Sequence, residues 1–297
     1  MYHVSVLLQE SIEALRVKKN GVYFDGTLGG GGHSGAILEL GGKVVGVDRD
    51  EDAINECSKR LAVYGDRCEI HRTNFKNADD VLGDKLIDGA ILDLGISSHQ
   101  VDTAERGMSY RFDAALDMRM DQRQLLTAAM VVNEYTEERL IKLLYEYGEE
   151  KFAKRIARNI VRAREKAPIK TTKELAKIVT DSVPANVKLP ERRTFQAIRI
   201  EVNNELRGLD KAIKDIFSYL KSGARLCVIT FHSIEDRIVK QTFNLLSTDC
   251  ICDKSLPICV CGHKAEGKAL KKINPSENEI NENSRSSSAT LRVIEKL

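Results

Sequence analysis

Three short β-prone segments in the first hundred residues each end in an aspartate. They are Val22–Asp25, Lys43–Asp48 and residues 86–93, and a further strand candidate, 67–71, lies between the last two. Helix-like stretches separate them, the clearest at 50–61. Strands that alternate with helices at this spacing predict a parallel α/β sheet. Near-continuous apolar strands favour burial on both faces of that sheet.

A glycine-rich loop follows the first of these strands. Residues 25–34 read DGTLGGGGHS and precede a helix predicted over 34–40. Glycines let the backbone turn tightly and approach a ligand, and ligands of open α/β sheets bind at the carboxyl ends of the strands. Asp25, Asp48 and Asp93 are all predicted at that edge. A carboxylate at Asp48 suits both ribose hydroxyls of an adenosine, and one at Asp25 suits the cationic amino group of a methionine moiety.

The same loop leaves a second cofactor class open. Gly30, Gly32 and Gly35 match the spacing of the dinucleotide fingerprint, so a nicotinamide oxidoreductase is an alternative. Against it, Asp25 precedes the loop so closely that it would repel a pyrophosphate.

The pattern changes in the middle of the chain. No strand is predicted from about 123 to 220, whereas Thr171 and Glu174 predict a capping box, and strands return at 224–231 and 290–295. The polar tail 274–288 is predicted to be a loop. We therefore expect a first sheet-forming part over 1–104, an inserted all-helical RNA-recognition domain over 105–207, and a second sheet-forming part over 208–297.

The expected helical insertion contains a basic amphipathic helix. Lys151, Arg155, Arg158 and Arg162 fall on one face, with Phe152, Ile156 and Ile160 on another. This pattern predicts a phosphate-binding surface with salt-dependent affinity, although a solvated charged face is the alternative. Arg192, Arg193 and Arg199 are expected to extend it. The formal net charge of +2 gives no indication by itself.

Cysteine use and hydropathy indicate the compartment. Seven cysteines do not suggest a secreted disulfide scaffold. There is no apolar run of eighteen residues and the first residues do not resemble a signal peptide, so we expect a cytoplasmic protein without a membrane partner. Cys250, Cys252, Cys259 and Cys261, with His263 nearby, could hold zinc, remain free thiols in a loop, or form pairs that oxidise on handling, so no metal ligand is assigned from the sequence.

Several longer motifs resemble the RsmH (MraW) family, the bacterial 16S rRNA cytosine-N4 methyltransferases. Besides the glycine loop they are DLGISSHQ at 93–100, ERGMSY at 105–110, LDMRMD at 116–121, YGEEKFAKRIAR at 147–158, RTFQAIR at 193–199 and TFHSIEDRIVK at 230–240. The resemblance extends over nearly the whole chain in one order. It implies a class I (Rossmann-like) S-adenosylmethionine-dependent methyltransferase sheet with an inserted helical domain.

The resemblance also implies site residues and a substrate. The contacts implied for S-adenosyl-L-methionine are Gly31, Gly32, His33, Asp48, Phe75, Asp93 and Gln100. The implied substrate is the N4 amino group of a decoding-centre cytidine, cytidine 1402, in 16S rRNA of the small ribosomal subunit. Asp93 is the candidate proton acceptor and His232 the alternative, since the aromatic Pro-Pro motif of DNA amino methyltransferases is absent. His99 departs from the family, which often carries proline there.

Two other functions are compatible with this sequence. One is an amino methyltransferase that acts on DNA or another RNA, and the other is a non-catalytic RNA-binding ribosome assembly factor. Activity on small subunits and binding of the cofactor would separate them from the first prediction. A homodimer is compatible with the sequence.

Overall fold

The computed structural model describes residues 5–253, 256 and 258–297, which build one seven-stranded sheet. The strand order is β3-β2-β1-β4-β5-β7-β6. The strands are β1 (Val22–Asp25), β2 (Lys43–Asp48), β3 (Cys68–Arg72), β4 (Ile87–Asp93), β5 (Leu220–Thr230), β6 (Gly267–Ala269) and β7 (Thr290–Lys296). Strands β1 to β5 pair in parallel, whereas β7 runs antiparallel to both β5 and β6.

Thirteen α-helices accompany the sheet in the described residues. They are α1 (Leu8–Leu15), α2 (Gly32–Glu39), α3 (Glu51–Arg60), α4 (Ala78–Leu82), α5 (Ser98–Asp102), α6 (Ala128–Glu134), α7 (Glu137–Gly148), α8 (Ala153–Arg164), α9 (Thr172–Asp181), α10 (Glu191–Asn203), α11 (Leu209–Ser218), α12 (Ser233–Leu246) and α13 (Glu277–Glu282). In the described part of the chain, every helix is too short or too polar to cross a membrane.

The chain divides into two compact units. Unit 1 holds the described residues up to Gly95 together with Arg207–Leu297, and unit 2 is Ile96–Leu206. Unit 1 contains the whole sheet. Tyr23 and Phe24 of β1 are fully buried in it, as the apolar pattern predicts. Its strand order, with an antiparallel β7 inserted between β5 and β6, is that of a class I methyltransferase sheet, so this predicted fold class is confirmed.

Unit 2 is built from helices and loops around its own apolar core. Leu140 and Leu144 of α7 pack in that core with Ile156 and Ile160 of α8. The predicted capping box at Thr171 forms, because its hydroxyl accepts the N–H of Glu174 while the Glu174 carboxylate accepts the N–H of Thr171. The division into functional domains at 104/105 and 207/208 stays a prediction.

The tail differs from its predicted form. Residues 274–288 contain α13 and a 3-10 helix, Ser284–Ser288, rather than an irregular loop. Ser276 caps α13 by accepting the N–H of Glu279, and the Glu279 carboxylate accepts the N–H of Leu7 at 2.7 Å. A contact between such distant parts of the chain stabilises a helix that the polar composition alone does not predict.

Candidate functional site

The glycine loop between β1 and α2 is held rigidly at the carboxyl edge of the sheet. Leu28 N–H donates to the carbonyl oxygen of Val47 in β2 at 3.0 Å. Two side chains of α3 hold the carbonyl groups of the loop, because the Cys57 thiol donates to Gly29 and Arg60 donates to Gly30, at 3.1 and 2.7 Å. These contacts therefore fix the shape of the glycine loop before any ligand binds.

Gly31 occupies a position in this loop that requires glycine. Its φ is +73°, and a Cβ there would lie 2.9 Å from the Cys57 sulfur. Gly31 is the N-cap of α2, and Gly32 and His33 are the first two residues of the helix. His33 is buried at 5% exposure. The structure thus places the three predicted loop residues together at the start of one helix.

Asp25 shapes the loop from inside. Its carboxylate accepts the N–H of Thr27 at 3.1 Å and the hydroxyl of Ser34 at 2.7 Å, and the residue is 2% exposed. Burial raises the pKa of this carboxyl group to about 6, with a smaller contribution from Asp48. Both oxygens bond within the loop, so Asp25 positions it, and a contact of this carboxylate with a ligand amino group stays a prediction.

Asp48 ends β2 beside the glycine loop, as predicted. Its two carboxylate oxygens accept the backbone N–H groups of Gly29 and Asp50, both at 2.9 Å. Burial raises its pKa. Each carboxylate oxygen has two lone pairs, so the group retains acceptor capacity for a hydroxyl ligand while it fixes the loop.

Asp93 ends β4, and its Oδ1 is buried with no hydrogen-bond partner among the described residues. The backbone N–H of Asp93 donates to the Thr27 hydroxyl oxygen at 2.5 Å, which joins the end of β4 to the glycine loop. Burial, followed by repulsion from Asp25 and Glu235, raises the pKa of Asp93 to about 8. An unpaired acceptor among carboxylates is an environment that a cation would stabilise.

Glu235 contributes to the electrostatics of the site around Asp93, although the sequence did not single it out. It lies in the first turn of α12, is 2% exposed, and accepts the N–H of Phe231 at 3.1 Å. Its only sequence signal is its place in the TFHSIEDRIVK motif, shortly after a predicted strand. Its negative charge acts on Asp93, and this effect depends on the tertiary fold.

His232, the alternative proton acceptor, caps α12. Its Nδ1 accepts the N–H of Glu235 at 3.4 Å, and its Nε2 lies 3.0 Å from a Glu235 carboxylate oxygen. The histidine therefore has a structural role as the cap of α12, and its role as proton acceptor stays a prediction, as does that of Asp93.

Phe75 follows β3 in a short 3-10 helix, Phe75–Asn77, and is half-buried. The Asn74 side chain begins this turn by accepting the N–H of Lys76 at 3.0 Å. A Cβ at Gly26, in the glycine loop, would lie 2.9 Å from the Phe75 Cβ. The aromatic ring and the loop therefore share one edge of the sheet.

Gln100 lies in unit 2, where its side chain closes a capping box. Its Oε1 accepts the N–H of Ser97 at 3.1 Å, its own N–H donates to the Ser97 hydroxyl at 3.2 Å, and it is 7% exposed. The box begins α5 although His99 occupies the position where the family often has proline. A contact of Gln100 with the cofactor stays a prediction.

The predicted basic face lies along α8 and just before it. Lys151 precedes the helix, and the side chains of Arg155, Arg158 and Arg162 are exposed on it. Arg158 also lies 3.7 Å from a carboxylate oxygen of Glu137. The first turn of α8 holds Arg155 and no acidic residue, so this cation adds to the positive end of the helix dipole, whereas Arg162 lies in the last turn, where a cation is favourable. An anion near the first turn would therefore be stabilised.

The arginines that were expected to extend this face differ. Arg193 is exposed and donates to the Glu149 carbonyl oxygen at 3.4 Å. Arg199 instead forms a two-pronged ion pair with Glu205, at 2.9 and 3.0 Å, with its side chain 12% exposed. Arg199 therefore stabilises unit 2 and is removed from the predicted surface.

The four cysteines predicted as a metal cluster are brought together, with their sulfur atoms all within 4.8 Å of one another. They lie between α12 and β6. His263 does not join them, since its Nε2 lies 3.0 Å from the Leu245 carbonyl oxygen.

Comparison with known proteins agrees with this geometry. A family model described as the MraW methylase family matches residues 1–297. Relatives from Lachnospira eligens, Carboxydothermus hydrogenoformans and Clostridioides difficile are 49%, 51% and 49% identical, over at least 99% of this chain and 98% of each relative. Each is named Ribosomal RNA small subunit methyltransferase H. An rRNA methylase structure from Streptococcus thermophilus covers 99% of this chain and 98% of its own, at 14% identity and a TM-score of 0.44, too distant to locate residues.

These matches decide between the cofactor classes left open by the glycine loop. The nicotinamide alternative is wrong, while a methyltransferase that uses S-adenosyl-L-methionine is confirmed. The resemblance found in the motifs is confirmed over the full sequence, and the chain belongs to the MraW methylase family.

Proposed function

We propose that this protein transfers a methyl group from S-adenosyl-L-methionine to the N4 amino group of cytidine 1402 in 16S rRNA. The observation that carries the proposal is the buried, unpaired Oδ1 of Asp93 among the carboxylates of Asp25 and Glu235. This negative site suits a cationic cofactor next to an amino acceptor. The names of the relatives support ribosomal RNA of the small subunit as the substrate.

The residues of the sheet edge fit the cofactor. S-adenosyl-L-methionine supplies a methyl group on a positively charged sulfonium. Asp48 would accept the ribose hydroxyls and Phe75 would cover the adenine, while Gly31, Gly32 and His33 would line the loop around the rest of the molecule. Since the loop is already fixed by α3 and β2, little ordering free energy opposes binding.

Asp93 has two tasks in this proposal. With a raised pKa of about 8, its carboxyl group is largely protonated in the free protein near neutral pH. A bound cation favours the ionised form, because the opposite charge offsets the cost of burial. The carboxylate then accepts a hydrogen bond from the N4 amino group, helps to localise the nitrogen lone pair, and receives the proton that is released.

The exposed cations of unit 2 would bind the RNA backbone. Lys151, Arg155, Arg158, Arg162 and Arg193 supply positive charge that is suited to phosphate groups. Contacts of this kind position an RNA without reading its sequence. The target cytidine must be unpaired or flipped for its N4 atom to reach the methyl group.

A transfer assay on small ribosomal subunits tests the proposal directly. Subunits from cells that lack the enzyme are incubated with methyl-labelled S-adenosyl-L-methionine, and the rRNA is digested to nucleosides. We expect labelled N4-methylcytidine at a single position. Free duplex DNA and other RNAs serve as competing substrates, and label on those alone would favour an amino methyltransferase with another target.

Two further outcomes would correct the proposal. If cofactor binding is measurable but no subunit at any assembly stage is labelled, the target of the methyltransferase is not the small subunit. If the label is found on a ring carbon or a ribose oxygen instead of N4, the role of Asp93 is wrong although the substrate class stands.

A further inference from the structure

The segment between α12 and β6 is a long connection that is tied at its base. Glu266 N–H donates to the Leu246 carbonyl oxygen at 2.9 Å, and Ala269 N–H donates to the Ser247 hydroxyl at 2.9 Å. Its described residues form neither helix nor strand, and connections of this kind are uncommon in compact proteins and are usually functional or flexible. Its four cysteines lie beyond this base.

The sulfur positions form a small cage. The sulfur–sulfur distances are 3.4 Å between Cys250 and Cys259, 3.6 Å between Cys259 and Cys261, and 3.9 Å between Cys250 and Cys261. Cys252 completes the group within 4.8 Å. Zinc bound tetrahedrally at about 2.3 Å from each sulfur requires sulfurs about 3.8 Å apart. The cage therefore has the size of a tetrahedral thiolate site.

Backbone donors are already directed at two of these sulfurs. Val260 N–H donates to Cys252 Sγ at 3.4 Å, and His263 N–H donates to Cys261 Sγ at 3.5 Å. Four thiolates around a divalent ion leave a net negative charge, which such donors stabilise. The His263 ring is directed to the Leu245 carbonyl oxygen, so the thiols alone form the cage.

The apolar residues of the segment do not hold it together. Ile251, Ile258 and Val260 are 53%, 74% and 77% exposed. Ile251 and Val260 are the middle residues of the two Cys-x-Cys pairs. The described residues of this segment therefore bury little apolar surface, and a small segment of that kind needs another cross-link to keep one conformation, of which a metal is a common one.

We propose that Cys250, Cys252, Cys259 and Cys261 bind one zinc ion as a structural site. Each thiol releases its proton to solvent when its sulfur binds the metal. All four positions are filled by the protein, so no position is open for a substrate or water. The ion fixes the connection between α12 and β6 and takes no part in methyl transfer.

Metal analysis of the full chain tests this proposal. The protein is purified under reducing conditions without chelators, and its metal content is measured by mass spectrometry. We expect about one zinc per chain. Replacement of zinc by cobalt is expected to give the intense thiolate-to-metal absorption of a tetrahedral all-sulfur site, a signal that is independent of activity.

Serine variants identify the ligands. Cys252→Ser and Cys259→Ser are each expected to weaken zinc binding on the order of a hundredfold or more, because one of four ligands is lost. Cys68→Ser, a half-buried cysteine at the start of β3, is the matched control and should retain the full metal content.

Three results would overturn the proposal. The first is wild-type protein that binds no zinc although its four thiols are shown to be reduced. The second is unchanged zinc affinity in both cluster variants. The third is a cobalt spectrum without sulfur-to-metal bands, which would place the ion elsewhere.

Discussion

The charged groups that the proposed reaction uses are buried in unit 1 and exposed in unit 2. In unit 1, Asp25 at the end of β1 and Glu235 in the first turn of α12 are each 2% exposed, and the pKa of Asp93 is raised to about 8. Along α8 the cations stand in solvent, and Arg158 has a side chain 60% exposed. Buried charges act strongly over short distances, whereas exposed charges act weakly and are screened by salt.

This difference separates two kinds of recognition in one chain. The carboxylates of unit 1 are held in place by backbone hydrogen bonds. They can therefore select a small cationic ligand by its charge and shape, and select the atom that this ligand methylates. The arginines of unit 2 can hold a polyanion of variable geometry. Substitutions in unit 1 should therefore change the chemistry or the cofactor affinity, and substitutions on α8 should change RNA affinity and its salt dependence.

The largest effect is expected from Asp93→Asn. The variant keeps the shape of the side chain but cannot accept the proton, so kcat should fall by about 10²–10⁴. The control is Asp88→Asn at the opposite end of β4, where the carboxylate accepts the N–H of Val22 and pairs with Lys221. Single-turnover methyl transfer measures both. Equal losses in the two variants would reduce Asp93 to a structural residue.

Asp48→Ala should weaken cofactor binding about 10–100-fold, the effect of lost hydrogen bonds to a charged acceptor. The structure adds that this change also removes the acceptor for Gly29 and Asp50, so Asp48→Asn, which keeps one oxygen, should have a smaller effect. Calorimetric titration with S-adenosyl-L-methionine measures both affinities, and circular dichroism checks folding. An unchanged affinity in Asp48→Ala would contradict the ribose assignment.

Charge reversal on α8 should affect RNA and spare the cofactor. The double variant Arg155→Glu and Arg162→Glu is expected to lower affinity for small subunits roughly tenfold and to reduce the salt slope by about 1–2. The matched double variant is Lys173→Glu and Lys177→Glu on α9, both exposed in the same unit. If both variants lose RNA affinity equally, the effect reflects net charge and not the α8 surface.

The smallest effect is expected on the thermal stability of the free protein and on its dependence on pH. In the folded protein Asp93 keeps its proton up to about pH 8, whereas the unfolded chain releases it near pH 4. The free protein therefore loses stability as pH rises through this window, because the unfolded state binds fewer protons. Asp93→Asn removes this loss and should raise the Tm at pH 8 by several degrees, with no gain at pH 4.

Differential scanning calorimetry at the two pH values tests this point without cofactor. A gain that is equal at pH 4 and pH 8 would mean that the substitution acts through packing and not through ionisation.

Local sequence patterns predicted most strands of the sheet, but they predicted neither the start of β5 nor the edge strand β6. The strands β1, β2 and β4 have apolar runs that end in aspartate, so their positions could be predicted to within a residue. The start of β5 at Leu220 could not, because polar residues follow it and a register shift occurs beside β4 between Ile87 and Gly89. Strand β6 has only three residues, two of them exposed, and gives no periodic signal.

The candidate site shows the same limit. Glycine and aspartate at strand ends carry a local signal, and the structure places the predicted loop residues and Asp48 at one edge. The influence of Glu235 on Asp93 and the use of both Asp25 oxygens within the loop depend on tertiary contacts. Arg199 was misassigned for the same reason, since its partner Glu205 lies beyond the end of α10.

The strand order has a consequence for how this protein folds while a ribosome synthesises it. Strand β4 pairs with β5 only after all of unit 2 has been synthesised, and β6 pairs only with β7, which is translated later. At ordinary translation speeds, on the order of ten seconds or more pass between the synthesis of the end of β4 and that of the last strand. During that time the helices of unit 2 can already fold as they emerge. The incomplete sheet meanwhile exposes an edge with unpaired backbone groups, which could pair with strands of other chains.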